Sequence, residues 1–182
     1  MSKKNEIERA AIELFSKKGI KATTVKDIAK AAQITEGAIY KHFSSKDELA
    51  QAVFEEKYNE IIDDLKNISA EHGTLDDVVK QMIGYYCTKF DEEPEIFTYL
   101  LISDHYQYNL SPRFTLIDFI VDILKKYKVD GDRKFIANIL LGAVIETGRN
   151  ILHKKIDGKM SDHKKKIITS CLVILENSAK IK

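Results

Sequence analysis

The sequence predicts an all-α protein, with a small N-terminal domain of three helices followed by a larger helical domain. Only two prolines and eight glycines occur in 182 residues, which favours long helices and disfavours a turn-rich β fold. Apolar residues recur at i, i+3, i+4 and i+7 in one segment after another, and this spacing indicates about nine amphipathic helices. A composition of 44% hydrophobic and 31% charged residues is typical of a globular chain and excludes a disordered one.

The first helix is expected from about Lys4 to Lys18. One of its faces carries a continuous apolar stripe, formed by Ile7, Ala10, Ala11, Leu14 and Phe15. Gly19 then supplies a stop, because glycine is common just past the end of a helix. We expect the stripe to pack against the next two helices and to close a three-helix bundle.

Two short helices separated by a tight turn are predicted within residues 24–43, TVKDIAKAAQITEGAIYKHF. A small residue, Ala29, is followed at intervals of five by Ile34 and Ile39. This is the helix-turn-helix pattern, in which the small residue allows the helices to cross closely and the two aliphatic side chains are buried.

Each of these helices begins after a threonine in the N-cap position. Thr24 has Asp27 three residues later, which predicts a capping box, and Thr35 precedes the second helix. Gly37 lies within that second helix, where glycine costs about 1 kcal/mol relative to alanine. A glycine on an exposed short helix suggests that a partner approaches closely, and the major groove of DNA admits a helix in this way.

A fourth helix is predicted from Ser45, because Ser45 and Glu48 form an S-x-x-E capping box. Its apolar positions continue through Leu65, and no linker rich in Gly, Ser or Pro interrupts it. We therefore expect two domains, residues 1–47 and residues 48–182, that are coupled through this helix.

Capping and breaking residues divide the rest of the chain into further helices. The predicted starts are Thr74 with Asp77, Pro94, Ser111 with Pro112, Arg133 for a long helix to about Lys155, and Ser161 for the final helix. The final helix is apolar on more than one face, which suggests burial against its own domain and against a second copy of the chain. The alternative is a central helix in a monomer. The candidate dimer-interface residues are Ala143, Ile151, Ile167, Cys171, Ile174 and Leu175.

Charge is unevenly divided along the chain. Residues 1–50 carry ten Lys or Arg and seven Asp or Glu, a net charge of +3, which leaves −2 for the remainder of a chain of net charge +1. The asymmetry favours an N-terminal part that binds DNA in a salt-dependent way. The alternative is an ordinary lysine-rich surface.

The sequence contains no HExxH, P-loop, GxGxxG or GxSxG motif, and its five histidines include no i, i+4 pair. We therefore expect no enzyme, no metal site and no cofactor. Cys87 and Cys171 lie in apolar helical contexts and are expected to be buried thiols. No apolar run approaches the ~20 residues that span a membrane. The N-terminus also lacks the apolar core of a signal peptide, so we expect a cytoplasmic protein.

The segment from Ala10 to Val53, about a quarter of the chain, resembles the DNA-binding domain of the TetR family of bacterial transcriptional regulators. Gln33 and Glu36 depart from the family pattern, which usually has glycine at the first position and a basic or small residue at the second. The features that carry the resemblance are Ala10, Leu14, Phe15, Gly19, Thr24-Val25, Ile28-Ala29, Gly37, Ile39-Tyr40, Phe43 and Ser45-Lys46-Asp47-Glu48-Leu49.

The resemblance implies roles for individual residues. Thr24, Tyr40 and Lys46 would contact DNA phosphates, and the side of the helix that faces the groove would be lined by Thr35, Glu36, Gly37, Ala38, Lys41 and His42. The two C-terminal helices would form a four-helix dimer interface, and the larger domain would enclose a small molecule. The candidate pocket residues are Tyr58, Ile62, Met82, Tyr86, Phe97, Leu101, His105, Phe119, Leu140 and Val144. The same residues would also suit a plain helical core.

Two functions remain open from the sequence. One is a ligand-responsive transcriptional regulator, most readily a repressor that binds a palindromic DNA operator as a homodimer and is released by a hydrophobic or aromatic effector. The other is a helical module that binds a small molecule or a protein and no longer binds DNA. Glu36 and the near-neutral charge favour this second function.

Overall fold

The computed structural model describes residues 2–71, 73–102 and 115–178, and all regular structure within these ranges is helical. The predicted all-α fold is therefore confirmed. One turn of π-helix, Thr98–Ile102, follows α6 directly. The α-helices are α1 Lys3–Ala22, α2 Val25–Ala31, α3 Glu36–Tyr40, α4 Lys46–Ala70, α5 Leu75–Glu92, α6 Pro94–Phe97, α7 Leu116–Lys126, α8 Arg133–Leu152 and α9 Met160–Glu176.

The chain divides into two compact units. The first combines Met1–Glu60 with Glu93–Pro112, and the second combines Ile61–Glu92 with Arg113–Lys182. Helix α4 contributes residues to both. The division at residues 47 and 48, which separates a DNA-binding role from a sensing role, stays a prediction.

The core of the first unit contains most of the apolar stripe predicted on α1. Its least exposed side chains, none above 1% exposed, include Ile7, Ala11, Phe15, Ile28, Ile39, Leu49 and Val53. Gly19 leaves the helical conformation with φ 79° and ψ 160°, at the position where a stop was predicted. The chain nevertheless turns helical again and α1 closes only at Ala22.

A segment distant in sequence completes this core. Helix α6 and the π-helical turn pack against α1, and Tyr99 in that turn is 0% exposed. The Tyr99 ring stacks on Phe15 with ring centroids 5.6 Å apart, and it meets Phe54 edge-on at 6.3 Å. Its hydroxyl donates a hydrogen bond of 2.7 Å to the carbonyl oxygen of Ala50. The π-helical turn is therefore an integral part of the first unit.

Local capping follows the sequence at the first helices. The Thr24 hydroxyl accepts from the Asp27 amide at 3.1 Å, and the Asp27 carboxylate accepts from the Thr24 amide at 3.0 Å, which completes the predicted capping box. The Thr35 hydroxyl accepts from the Ala38 amide at 3.2 Å. These short-range bonds need only neighbouring residues, which is why the sequence predicts them.

The starting residue of α7 and the end of α8 differ from the prediction, whereas α4 begins after Ser45 as predicted but with only part of its capping box. The Ser45 hydroxyl caps the Glu48 amide, but the Glu48 carboxylate turns to the amide of Ser44 instead of that of Ser45. Helix α7 begins at Leu116 after a capping box between Thr115 and Asp118, whereas Ser111 and Pro112 lie outside the described residues. Helix α8 ends at Leu152, before a left-handed Lys154 with φ 55°.

The second unit is built from the end of α4 together with α5, α7, α8 and α9. Helix α9 packs against α5 and α8, and α7 packs against α8. Lys126 and Tyr127 at the end of α7 donate to the carbonyl oxygens of Ser69 and Gly73, at 2.7 and 3.2 Å. The core side chains include Val78, Ile83, Cys87, Phe90, Leu124, Ile136, Met160, Ile167 and Cys171. Both cysteines are buried free thiols, as predicted, and burial raises the pKa of each to about 11.

The N-terminus of α9 is capped from another helix, which corrects the prediction that Ser161 caps it. The carboxylate of Asp91, at the end of α5, accepts hydrogen bonds from the amides of Met160 and Ser161 at 2.8 and 3.0 Å. A carboxylate is well placed at the positive end of a helix dipole. Asp91 therefore ties the ends of two core helices together.

Replacing Asp91 with asparagine should lower the free energy of unfolding at pH 7 by about 1 kcal/mol, the usual value of a helix cap. Burial opposes ionisation of Asp91, but the hydrogen bonds from Ser161 and Met160 outweigh it and lower its pKa. A folded-state pKa below the unfolded value near 3.9 means that this stabilisation is present above about pH 4 and is lost as the pH falls. Urea unfolding at pH 7 and pH 3 should therefore show the gap between the two proteins closing in acid.

The matched control is Glu93→Gln, which removes the same charge two residues later. Glu93 is exposed and makes no side-chain cap bond at the start of α6. Equal losses of stability in the two variants at pH 7 would show that Asp91 does not act as a cap.

Candidate DNA-binding site

Helices α2 and α3 cross as the helix-turn-helix pattern predicts. The Ile34 amide in the turn donates to the carbonyl oxygen of Ala29 at 2.9 Å, and Ile39 is 1% exposed. Gln33 adopts the left-handed conformation, with φ 56°, at the position where relatives of this pattern usually have glycine. Glutamine in place of the usual glycine therefore leaves the predicted turn intact, although the residue adopts a strained backbone conformation.

One face of α3 and the residues just after it are open to solvent. Thr35, Glu36, Gly37, Lys41 and His42 are exposed, Tyr40 is 52% exposed, and Ala38 is half-buried. Ile39 and Phe43 are buried on the opposite side. The structure thus brings seven of the nine residues predicted to contact DNA together around α3.

Gly37 has no packing role within the described part of the chain. A Cβ atom built at this position would meet only the Thr35 hydroxyl oxygen, at 4.0 Å. The glycine is therefore not required by a neighbouring side chain, and the open space beside it would accommodate the surface of a partner.

The eighth residue, Thr24, lies at the exposed start of α2 within a small charged network. Lys18 donates to the Asp27 carboxylate at 2.8 Å, and the same carboxylate completes the cap of α2. The bond from Lys18, followed by those from Thr24, holds the pKa of Asp27 well below its usual range. Asp27 is therefore ionised at neutral pH. Lys18 was not among the predicted site residues, because a helix-spaced sequence pattern does not show that it meets Asp27.

The ninth residue, Lys46, is half-buried and engaged within the first unit. Its ammonium group donates to the carbonyl oxygens of Ile20 and Thr23 at 2.7 and 2.8 Å. The family resemblance predicts that Lys46 contacts a DNA phosphate. The sequence around Lys46 does not indicate its bonds to Ile20 and Thr23, which are distant in sequence.

The predicted ligand-pocket residues are distributed over both units. Tyr58 and Phe97 belong to the first, and both are buried. Leu101 and His105 fall outside what the structure describes at side-chain level. In the second unit Ile62, Phe119 and Leu140 are buried, while Met82, Tyr86 and Val144 are half-buried. Glu146 and Arg149 form an exposed ion pair of 3.2 Å on α8 and do not lie within an apolar interior.

The predicted dimer-interface residues also fall into two groups. Ile167, Cys171 and Leu175 are 6%, 2% and 8% exposed in the single chain, so they contribute to its own core. Ala143, Ile151 and Ile174 are half-buried. Sequence periodicity missed Phe135 and Val173, which are 55% and 51% exposed. An apolar residue directly beside a buried stripe, such as Phe135 beside Ile136, lies on a different face of the helix. This position is the sequence signal that could have predicted an exposed apolar side chain.

Metal-ligand chemistry is not supported by the described residues, which contain no cluster of three or more His, Cys, Asp or Glu side chains suited to an ion. Among the described residues, helix α8 is long and apolar enough to cross a membrane by length and composition alone, and core helices of soluble proteins share these two features.

Comparison with known proteins identifies the helix-turn-helix part of the chain. Residues 7–53 match the family described as bacterial regulatory proteins, tetR family. This N-terminal part of the chain therefore matches the TetR family. The matched range covers most of α1, all of α2 and α3 and the first turns of α4, and it includes the exposed site described above.

Two curated TetR-family relatives extend the match. The uncharacterized regulator YerO of Bacillus subtilis is 34% identical over 101 residues, which are 54% of this chain and 35% of YerO. The repressor KstR2 of Mycolicibacterium smegmatis is 26% identical over 147 residues, which are 71% of this chain and 67% of KstR2. The chain thus spans about a third of one relative and two thirds of the other.

Two solved structures share the fold. The fatty acid degradation regulator FadR of Bacillus halodurans superposes with a TM-score of 0.80 at 19% identity, over 94% of this chain and 95% of that one. The regulator FadR of Bacillus subtilis, in complex with stearoyl-CoA, gives a TM-score of 0.73 at 16% identity, over 92% and 96%. At these identities the likeness establishes the fold.

Proposed function

We propose that this chain is a TetR-family transcriptional repressor in the cytoplasm that binds a palindromic DNA operator as a homodimer and releases it when a small molecule binds. The observation that carries the proposal is the exposed face of α3, where Gly37 has open space beside it and Tyr40 and the adjacent Lys41 are exposed at the end of the helix. A helix of this kind fits the major groove, and lysine can bind a guanine edge or a phosphate there.

The homodimer is supported by the apolar surfaces of α8 and α9. Only 22% of the most apolar 18-residue window of α8 is buried within the described chain. A second copy would cover apolar area on both helices. This area comes from the half-buried Ala143, Ile151 and Ile174 and from the exposed Val173. A two-fold dimer would present two copies of α3 to major grooves about one DNA turn, ~34–36 Å, apart.

The effector is proposed to be a small molecule with a large apolar part. Support comes from the aromatic and aliphatic candidates for the pocket and from the stearoyl-CoA bound by the Bacillus subtilis FadR, which shares the fold. A ligand that favours one arrangement of the two DNA-binding units over another would shift operator affinity by its difference in binding to the two states. Helix α4, which contributes to both units, is the natural route for that coupling.

The experiment is binding of purified protein to the DNA that flanks its own gene, titrated with salt. We expect saturable binding to a palindrome that weakens at higher salt. Stearoyl-CoA is the first effector to test for release of the DNA. Lys41→Met should lower affinity at least about tenfold, the usual effect of losing one good contact in each half-site. Gly37→Leu should also abolish tight binding, since the added side chain has room in the free chain but none against the groove.

The matched control is Lys66→Met, which removes the same charge from an exposed ion pair with Asp63 on α4. Its operator affinity should equal that of the wild type. If the folded wild-type dimer binds no DNA even at low salt, the proposal fails. The alternative of a helical module for a small-molecule or protein partner then takes its place.

A further inference from the structure

The connection between α1 and α2 contains a turn that leaves backbone carbonyl groups without helical partners. Gly19 departs from helical geometry, so the carbonyl oxygens around it lose the amide donors that a continuous helix supplies. The Thr23 hydroxyl donates to the Gly19 carbonyl at 2.8 Å, and the Thr23 amide donates to the Ile20 carbonyl at 3.2 Å. Thr23 is 0% exposed, so the polar groups of this turn depend on protein partners.

Lys46 supplies the donors that the turn lacks. Its ammonium nitrogen lies 2.7 Å from the Ile20 carbonyl oxygen and 2.8 Å from the Thr23 carbonyl oxygen. The residue opens α4, where a positive charge opposes the dipole of its own helix. At the C-terminal end of α1 the same charge is favourable, because the carbonyl groups there form the negative end of that dipole.

The turn that Lys46 holds leads directly into the predicted DNA-binding surface. Thr24, the next residue, caps α2. Its amide donates a hydrogen bond of 3.0 Å to the Asp27 carboxylate. Helix α2 is in turn fixed to the start of α3 through the bond between Ile34 and Ala29. Lys46 therefore links the first turn of α4 to the peptide immediately before the start of α2.

We propose that Lys46 is a positioning residue, which fixes the turn at residues 19–23 and the start of α2 to the first turn of α4. Its ammonium group directs two of its three N–H groups to carbonyl oxygens within the first unit. The inference rests on the proposed function for its DNA readout.

The test compares Lys46→Met with Lys41→Met, which removes the same charge from the exposed end of α3. Operator affinity is measured for the active fraction at several salt concentrations between 50 and 200 mM. Lys46→Met should weaken binding at least about fivefold at each salt concentration, as expected for losing hydrogen bonds from a charged group. Lys41→Met, if it removes a phosphate contact, should reduce the slope by about 0.9 per contact, or about 1.8 for a dimer.

Amide hydrogen exchange gives a second readout that needs no DNA. Peptides covering residues 19–27 should exchange at least about tenfold faster in Lys46→Met and unchanged in Lys41→Met, because only the first loses the bonds that close the turn. Lys46→Arg keeps a charged donor group and should restore both affinity and protection. If Lys46→Met does not fold, Lys46→Gln replaces it in both measurements.

Two results would overturn the assignment. They are unchanged operator affinity in Lys46→Met, or unchanged exchange of residues 19–27 in the same variant. Failure of the proposed function is a separate outcome, since it appears as a wild-type protein that binds no operator. Hydrogen exchange would still decide whether Lys46 closes the turn.

Discussion

Replacing Tyr99 with alanine is expected to lower the free energy of unfolding by about 3–5 kcal/mol, the range for truncating a fully buried aromatic residue. Tyr99 is 0% exposed, and its ring contacts Phe15 of α1 and Phe54 of α4. The substitution would leave a cavity between these rings. It would also remove the donor to the Ala50 carbonyl, 2.7 Å away. Urea unfolding followed by circular dichroism measures the change.

Tyr99→Phe separates the two contributions. This variant keeps the ring contacts and loses only the hydroxyl, so it should cost about 1 kcal/mol. If Tyr99→Ala costs no more than Tyr99→Phe, the ring does not fill the core of the first unit. The pair also reports on the DNA-binding surface, because a looser core beneath α1 and α4 should weaken operator binding in Tyr99→Ala more than in Tyr99→Phe.

Tyr99 shows where reasoning from the sequence reaches its limit. The periodicity of residues 94–102 predicts a helix with an apolar face, and the structure forms α6 and a π-helical turn there. Periodicity does not say which core the face enters. Contact with Phe15 and Ala50 joins residues 84 and 49 positions apart, and a search for local patterns carries no information about such pairs.

The same distinction separates the confirmed caps from the corrected ones. Thr24 and Thr35 cap their helices through bonds to residues three positions away, which the sequence displays directly. Asp91 caps α9 across 69 and 70 positions, and Lys46 closes the α1–α2 turn across 26 and 23. A lysine or aspartate at such a position looks like an ordinary surface charge until the chain has folded.

The candidate site was easier to predict than its supports. The exposed residues of α3 follow from the burial of Ile39 and Phe43, because a short helix with two anchored positions must present its other face to solvent. The dimer interface stays a prediction. Ile167, Cys171 and Leu175 are apolar for the interior of their own chain, and an apolar residue does not reveal whether it faces its own core or a partner.

Gly148→Val is the second substitution expected to have a large effect, a loss of about 2–3 kcal/mol in the free energy of unfolding. Gly148 is buried on α8, and a Cβ atom at this position would lie 2.7 Å from a ring carbon of Phe90 and 3.3 Å from the Tyr86 hydroxyl oxygen. Phe90 is itself 2% exposed, and its ring centroid lies 5.8 Å from that of Tyr86. The ring therefore has little room to yield, so α8 and α5 would have to separate.

Gly84→Ala provides the opposite case on α5. A Cβ atom there has no neighbour within 4 Å among the described residues, so alanine should stabilise the protein by up to about 1 kcal/mol through its higher helix propensity. Thermal and urea unfolding of the two variants should move in opposite directions. Stabilisation by both would mean that α5 and α8 are not in close contact at Gly148. If Gly148→Val lowers the free energy of unfolding and Gly84→Ala does not, Phe90 occupies the space that a side chain at position 148 would need.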